Sequence, residues 1–163
     1  MTIDGNRNRE ADAEGPAARA RRVVLDQHAE LRRLLTMGLA EARAVVKRHT
    51  LPHETLRPLV ALIRAIFVKH LADEEALILP LLEDDLPLGP LRAQRLREEH
   101  ADQRTDLDTL CSWPEDPTQD LELALRFETL GTALLHDIAH EETHLLTPEI
   151  IRDDCIVIDQ FGG

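Results

Sequence analysis

Residues 70–80 read His70-Leu-Ala-Asp-Glu74-Glu75-Ala-Leu-Ile78-Leu79-Pro80. A near copy returns as His136-Asp-Ile-Ala-His140-Glu141-Glu142-Thr-His144-Leu145-Leu146-Thr-Pro148. Each block sets a histidine about one helical turn before paired acids, then apolar residues, then a proline that stops a helix. The second block carries a one-residue stutter. This weak internal repeat predicts two helices of one design, and the rest of the chain supplies two more.

Upstream, Val24, Leu31, Leu35, Gly38, Ala42 and Val45 fall in a three-and-four spacing, predicting a first helix from about Ala17 to Arg48. The stretch His49 to His53, with Pro52, reads as a connection. Thr55 is a good N-cap for the second helix, with Pro58 tolerated in its first turn. Leu59, Ile63, Ile66, Leu77 and Leu81 mark that helix's stripe, and Asp84 to Gly89 reads as a turn. Pro90 opens a third helix that runs to about Leu110, before Trp113-Pro114. A fourth begins near Asp116 or Thr118, carries Leu121, Leu125 and Leu135, and ends around Pro148. Only the tail Cys155 to Ile158 alternates with period two. Four helices joined by short turns predict an all-α, up-down-up-down antiparallel four-helix bundle over residues 17–148. Residues 1–16 read as a disordered lead-in and 149–163 as a C-terminal tail.

Composition narrows the function. The 163 residues suit one domain, and 43% hydrophobic with 31% charged is ordinary for a soluble protein. A net charge of −12 repels phosphate backbones, and three Phe, one Trp and no Tyr provide no base-stacking platform. Nucleic acid is therefore excluded as the main partner. No apolar run reaches the ~20 residues a membrane span needs. Met1 to Glu14 has no apolar segment of a secretory signal. Cys111 and Cys155 read as reduced thiols, consistent with a cytoplasmic location.

Eight histidines are the unusual count. His28 falls between Val24 and Leu31, His70 between Ile66 and Leu77, and His100 between Leu96 and Leu107. On the fourth stripe as read above, His136 lies eleven residues after Leu125. Each helix is thus expected to aim one imidazole at the bundle axis. A lone histidine on an apolar stripe is more often a hydrogen-bonded core residue than a ligand. Four converging histidines, two with a carboxylate a turn away, are harder to obtain by chance. Such groups cannot be buried unpaired, and a mixed nitrogen and oxygen shell suits iron, manganese or zinc. His49 and His53 read as exposed.

These motifs, with His28 in Asp26-Gln27-His28-Ala-Glu-Leu-Arg32 and His100 in Glu98-Glu99-His100, resemble the hemerythrin-like HHE cation-binding family over about residues 20–150. The resemblance implies two iron ions (Fe2+/Fe3+) in a non-haem centre with oxo or hydroxo and carboxylate bridges. It makes His28, His70, His100 and His136 terminal ligands and Glu74 and Glu141 the bridging carboxylates. Two departures stand out. Oxygen-carrying members have a second histidine one turn after that of the third helix, where this chain has Arg104. On the fourth helix, helical geometry places His140 on the face of His136, whereas the family's five-residue gap selects Glu141. His140 and His144 are then outer partners or alternative ligands. The implied function is binding or reduction of a small oxidant (O2, peroxide or NO), with oxidase-, peroxidase- or catalase-like turnover as one form of it. The alternatives are an iron- or oxygen-sensing or iron-handling module, and a metal-free bundle of buried His–Glu pairs. Ile156, Ile158 and Phe161 are expected either to fold back on the bundle or to dock a protein partner.

Overall fold

The computed structural model describes residues 14–48, 53–83 and 88–153. Four long helices dominate: α1 (Pro16–Arg48), α2 (His53–Leu77), α4 (Gly89–Cys111) and α5 (Asp120–His144). A short α3 (Leu79–Glu83) follows α2, and a 3-10 turn (Pro117–Gln119) precedes α5. Among the described residues there is no strand. The lead-in up to residue 13, the connection at 49–52, the turn at 84–87, and Cys155, Ile156, Ile158 and Phe161 lie outside the described residues.

Local chemistry explains most boundaries. Pro80 has no N–H to donate, so α2 stops at Leu77 and the chain restarts as α3. The break is bridged by hydrogen bonds from Ile78 N to the Glu74 carbonyl (2.8 Å) and from Leu82 N to the Ile78 carbonyl (3.0 Å). Helix α2 begins at His53, two residues earlier than the Thr55 cap implies. The Thr55 hydroxyl instead donates to Glu41 Oε2 across to α1 (3.1 Å). Helix α5 ends at His144 rather than Pro148, where the N–H groups of Leu145 and Leu146 both donate to the Glu141 carbonyl (2.8 Å each).

Helix α1 packs on α2 and α5, and α4 packs on the same two helices. The apolar interior is divided. One cluster contains Leu31, Leu35, Ile63, Phe67, Leu71, Leu107, Phe127 and Leu134. The other contains Val24, Ile78, Leu82, Ala93, Leu96, Leu146 and Ile151. Between them lies a polar layer of fully or nearly fully buried side chains: His28, His70, Glu74, His100 and Glu141.

On α1 and α4 the expected stripes coincide with the buried face. On α5 they do not. Leu121 and Leu125, expected inside, are 39% and 46% exposed, and the inward row is Leu123, Phe127, Gly131, Leu134, Ile138 and Glu141. The chain after α5 returns to the start of α1. Ile151 is buried against α1, and Asp153 accepts hydrogen bonds from the N–H groups of Ala17 (2.6 Å) and Ala18 (3.2 Å), capping the start of α1.

A candidate metal centre between two apolar layers

Each long helix sends its polar residues into the layer at a core position of its own heptad-like row. His28 on α1 lies three residues before Leu31, and His100 on α4 lies four after Leu96. On α2, His70 and Glu74 are one turn apart on one face, so both point inward. On α5, Glu141 lies seven residues after Leu134 and three after Ile138, squarely on the inward row.

One ligand atom from each of His28, His70, Glu74 and Glu141 lies within 4.8 Å of the other three. Glu74 Oε2 sits between two rings, 3.4 Å from His70 Nε2 and 3.5 Å from His100 Nε2. Glu141 Oε2 is 3.3 Å from His28 Nε2, and the His28 and His70 rings meet edge-on with centroids 4.8 Å apart. These contacts are long for hydrogen bonds. Both carboxylate oxygens of Glu74, and the Nε2 atoms of His28 and His100, are buried without a hydrogen-bond partner. A buried carboxyl group with neither oxygen partnered is costly unless a cation or another polar group meets it.

The outer side of each imidazole is, by contrast, well supported. His28 Nδ1 donates to Glu142 Oε1 (3.1 Å), His70 Nδ1 to Gln27 Oε1 (3.0 Å) and His100 Nδ1 to Glu75 Oε1 (3.0 Å). An acceptor at Nδ1 selects the tautomer whose bare Nε2 lone pair faces inward, the arrangement that orients histidine on metals. The supports are themselves held. Glu142 pairs with Arg32, and Gln27 Nε2 donates to Asp73 (2.7 Å), which also pairs with Lys69. Arg104 donates to Glu75 Oε1 (2.9 Å). The residue that stands where oxygen carriers have another histidine therefore steadies the support of His100.

The titrations follow from the same surroundings. Burial pushes His70 down to about 4, against the upward pull of Glu74, so its ring is neutral at pH 7. Burial also lowers His100, but the Glu74 and Glu75 carboxylates outweigh it and the net shift is upward. Burial raises Glu141, despite its contact with His28. Burial raises Glu75 too, but its hydrogen bonds from Arg104 and His100 more than offset that and hold it low.

His136 is not in the layer. Its side chain is 80% exposed, with Nδ1 3.7 Å from Asp137 Oδ1. Five residues of α-helix turn about 500°, so in an unbroken helix His136 and Glu141 lie about 140° apart and cannot face one centre together. Glu141 faces the layer, and His140 is exposed. Two polar residues absent from the expected set meet beside the cluster: Gln103 is nearly buried, and its Nε2 donates to Asp137 Oδ2 (3.3 Å). Gln103 follows His100 by three residues and Asp137 precedes Glu141 by four, so the i, i+3 and i, i+4 rule could have found both. The outer acceptors Gln27, Glu75 and Glu142 each adjoin a cluster residue in sequence, and adjacency is their only signal.

Fold and site thus define an all-helical protein with a buried histidine and carboxylate cluster suited to a cation. The hemerythrin HHE cation binding domain matches residues 19–147, and the chain belongs to that family. Comparison with curated proteins and with solved structures finds no significant match. Among the described residues no helix is long and apolar enough to cross a membrane.

Proposed function

We propose that the chain is an up-down-up-down antiparallel four-helix bundle that holds two iron ions and binds or reduces a small oxidant such as O2, peroxide or NO. The observation that carries this reading is the fully buried Glu74 carboxylate, with neither oxygen partnered, lying between the Nε2 atoms of His70 and His100. A carboxylate so placed would suit a bridge between two cations held by His28, His70, His100 and Glu141. Glu141, beside His28, is the second bridging candidate. When bound, the metal pair supplies redox electrons and coordination positions for a small molecule.

The chain's own residues do the rest. Three imidazoles offer Nε2 donors fixed from behind by Glu142, Gln27 and Glu75. Phe67, whose ring meets that of His70 at 5.7 Å, and the buried Leu71, Leu31 and Leu107 exclude bulk water on one side. With His136 turned outward, three histidines and two glutamates remain to hold two ions, which favours open positions over a saturated shell.

Elemental analysis of protein produced with ample iron tests the reading. About two iron atoms per chain are expected, falling below one in Glu74→Ala and His70→Ala. A single zinc, or no metal, would overturn it. Failure of the reduced, iron-loaded protein to react with any of the three oxidants would leave iron binding standing and favour the alternative of a sensing or iron-handling module. That alternative draws on one feature, the position of the polar layer between two apolar clusters, which ties metal occupancy to the stability of the whole bundle.

A further inference from the structure

The outward turn of the α5 histidines places a second donor group on the surface. His136, His140 and His144 recur every four residues along the exposed face of α5. The His140 and His144 ring centroids are 4.7 Å apart, inclined at 56°, and the His136 and His140 rings are nearly parallel at 6.5 Å. We infer that His140 and His144 form a surface site for one borderline divalent cation, of the Zn2+, Cu2+ or Ni2+ class, distinct from the buried centre.

Four features support the assignment. Histidines four apart on a helix are neighbours one above the other, so both rings reach one point without any change of backbone. Two nitrogens on one zinc ion are at most ~4 Å apart, a separation that rings 4.7 Å apart meet by side-chain rotation alone. Exposed imidazoles need not be desolvated, and water completes the shell. His144 also lies in the last turn of α5, where the helix dipole favours positive charge. Imidazole donors prefer zinc, copper or nickel to magnesium or calcium, and no carboxylate bridge is built here as it is around Glu74.

The row also limits stoichiometry. His136 and His144 are eight residues, about 12 Å, apart along the axis and cannot share an ion. His140 is common to both adjacent pairs, so one ion binds at a time. His136 serves as the weaker alternative partner.

The test is a calorimetric titration of the iron-loaded protein with Zn2+. One additional zinc per chain is expected. Binding should weaken at least tenfold in His140→Gln and in His144→Gln, but less than threefold in His136→Gln. His144→Gln guards against a perturbation of Glu141 next to His140, and an unchanged iron content shows that the buried centre is intact. Zinc binding unaffected by either substitution, or lost together with iron in Glu74→Ala and in no surface variant, would overturn the inference. Because a Glu74→Ala protein should keep the surface zinc, failure of this site and failure of the buried one are told apart.

Discussion

At the residue scale, His70 is the most informative side chain in the layer. In the metal-free protein its ring is held neutral down to about pH 4, chiefly by burial, whereas in the unfolded chain it titrates near 6.5. Between those values the unfolded state takes up a proton that the folded state refuses. The stability from His70 is therefore complete above pH 6.5 and is lost as pH falls towards 4. His100 has the opposite sign: its contribution is present below 6.5 and fades as pH rises through its raised folded value. Glu141, raised by burial, also opposes the acid limb, so His70 is the group in the layer that drives it between 6.5 and 5. Over that interval the loss is expected to be about 2 kcal/mol, from 1.36 kcal/mol per unit of pKa difference. Urea unfolding of metal-stripped protein at pH 6.5 and pH 5 measures it, and His70→Leu should show a much smaller change. An equal pH slope in the two proteins would show that the neutral ring is not what the folded state requires. A ring already neutral at pH 7 also binds a cation without releasing a proton.

At the element scale, the helices were legible and their rotations were less so. Proline and glycine punctuation locates all four, and on α1 and α4 the expected stripes coincide with the buried face. Helix α5 carries leucines on both sides. Counting from Leu121 and Leu125 puts His136 inside, whereas the true row passes through Phe127 and Gly131. Spacing alone cannot rank two leucine rows on one helix; a close helix–helix approach does. That approach is visible at Gly38 on α1, where an added Cβ would lie 2.6 Å from two atoms of the fully buried Phe127 ring. At Gly131 on α5 the nearest atoms belong to Leu39, at 3.2 and 3.4 Å. Replacing either glycine with alanine gains about 1 kcal/mol of helix propensity. At Gly38 a buried ring must move, at a cost of about 1–3 kcal/mol, so Gly38→Ala is expected to lower stability on balance. At Gly131 a flexible leucine tip gives way, and Gly131→Ala should be neutral or stabilising. Thermal melts of the two variants side by side check the contrast, and a Gly38→Ala protein as stable as Gly131→Ala would refute the close contact.

At the scale of the whole molecule, the polar layer interrupts what would otherwise be one continuous core. The Phe67 and Phe127 cluster lies on one side; on the other, Val24, Ile78, Leu82, Leu96 and Ile151 join the start of α1, α3, the start of α4 and the chain after α5. That second cluster is the smaller one. Its segments are tied by polar contacts near the surface: Asp153 on the first turn of α1, and Arg21 donating to the Ile151 carbonyl (3.3 Å). A cation held by residues of α1, α2, α4 and α5 would join the two halves, and its binding free energy would appear as folding free energy. Stripping the metal should therefore leave the larger cluster protected and loosen the smaller one first. Amide hydrogen exchange, compared with and without iron, is expected to show protection lost around Ala20, Val24, Leu82 and Ala93 and largely kept around Ile63, Phe67 and Phe127. In Glu74→Ala the stripped pattern should persist whether or not iron is added, because the carboxylate between His70 and His100 is gone. Uniform loss of protection on stripping would mean that the two clusters unfold as one unit and that the layer does not divide the bundle energetically. No change at all would mean that the buried carboxylates find partners without a cation, and the stability argument for a metal at this site would fall with it.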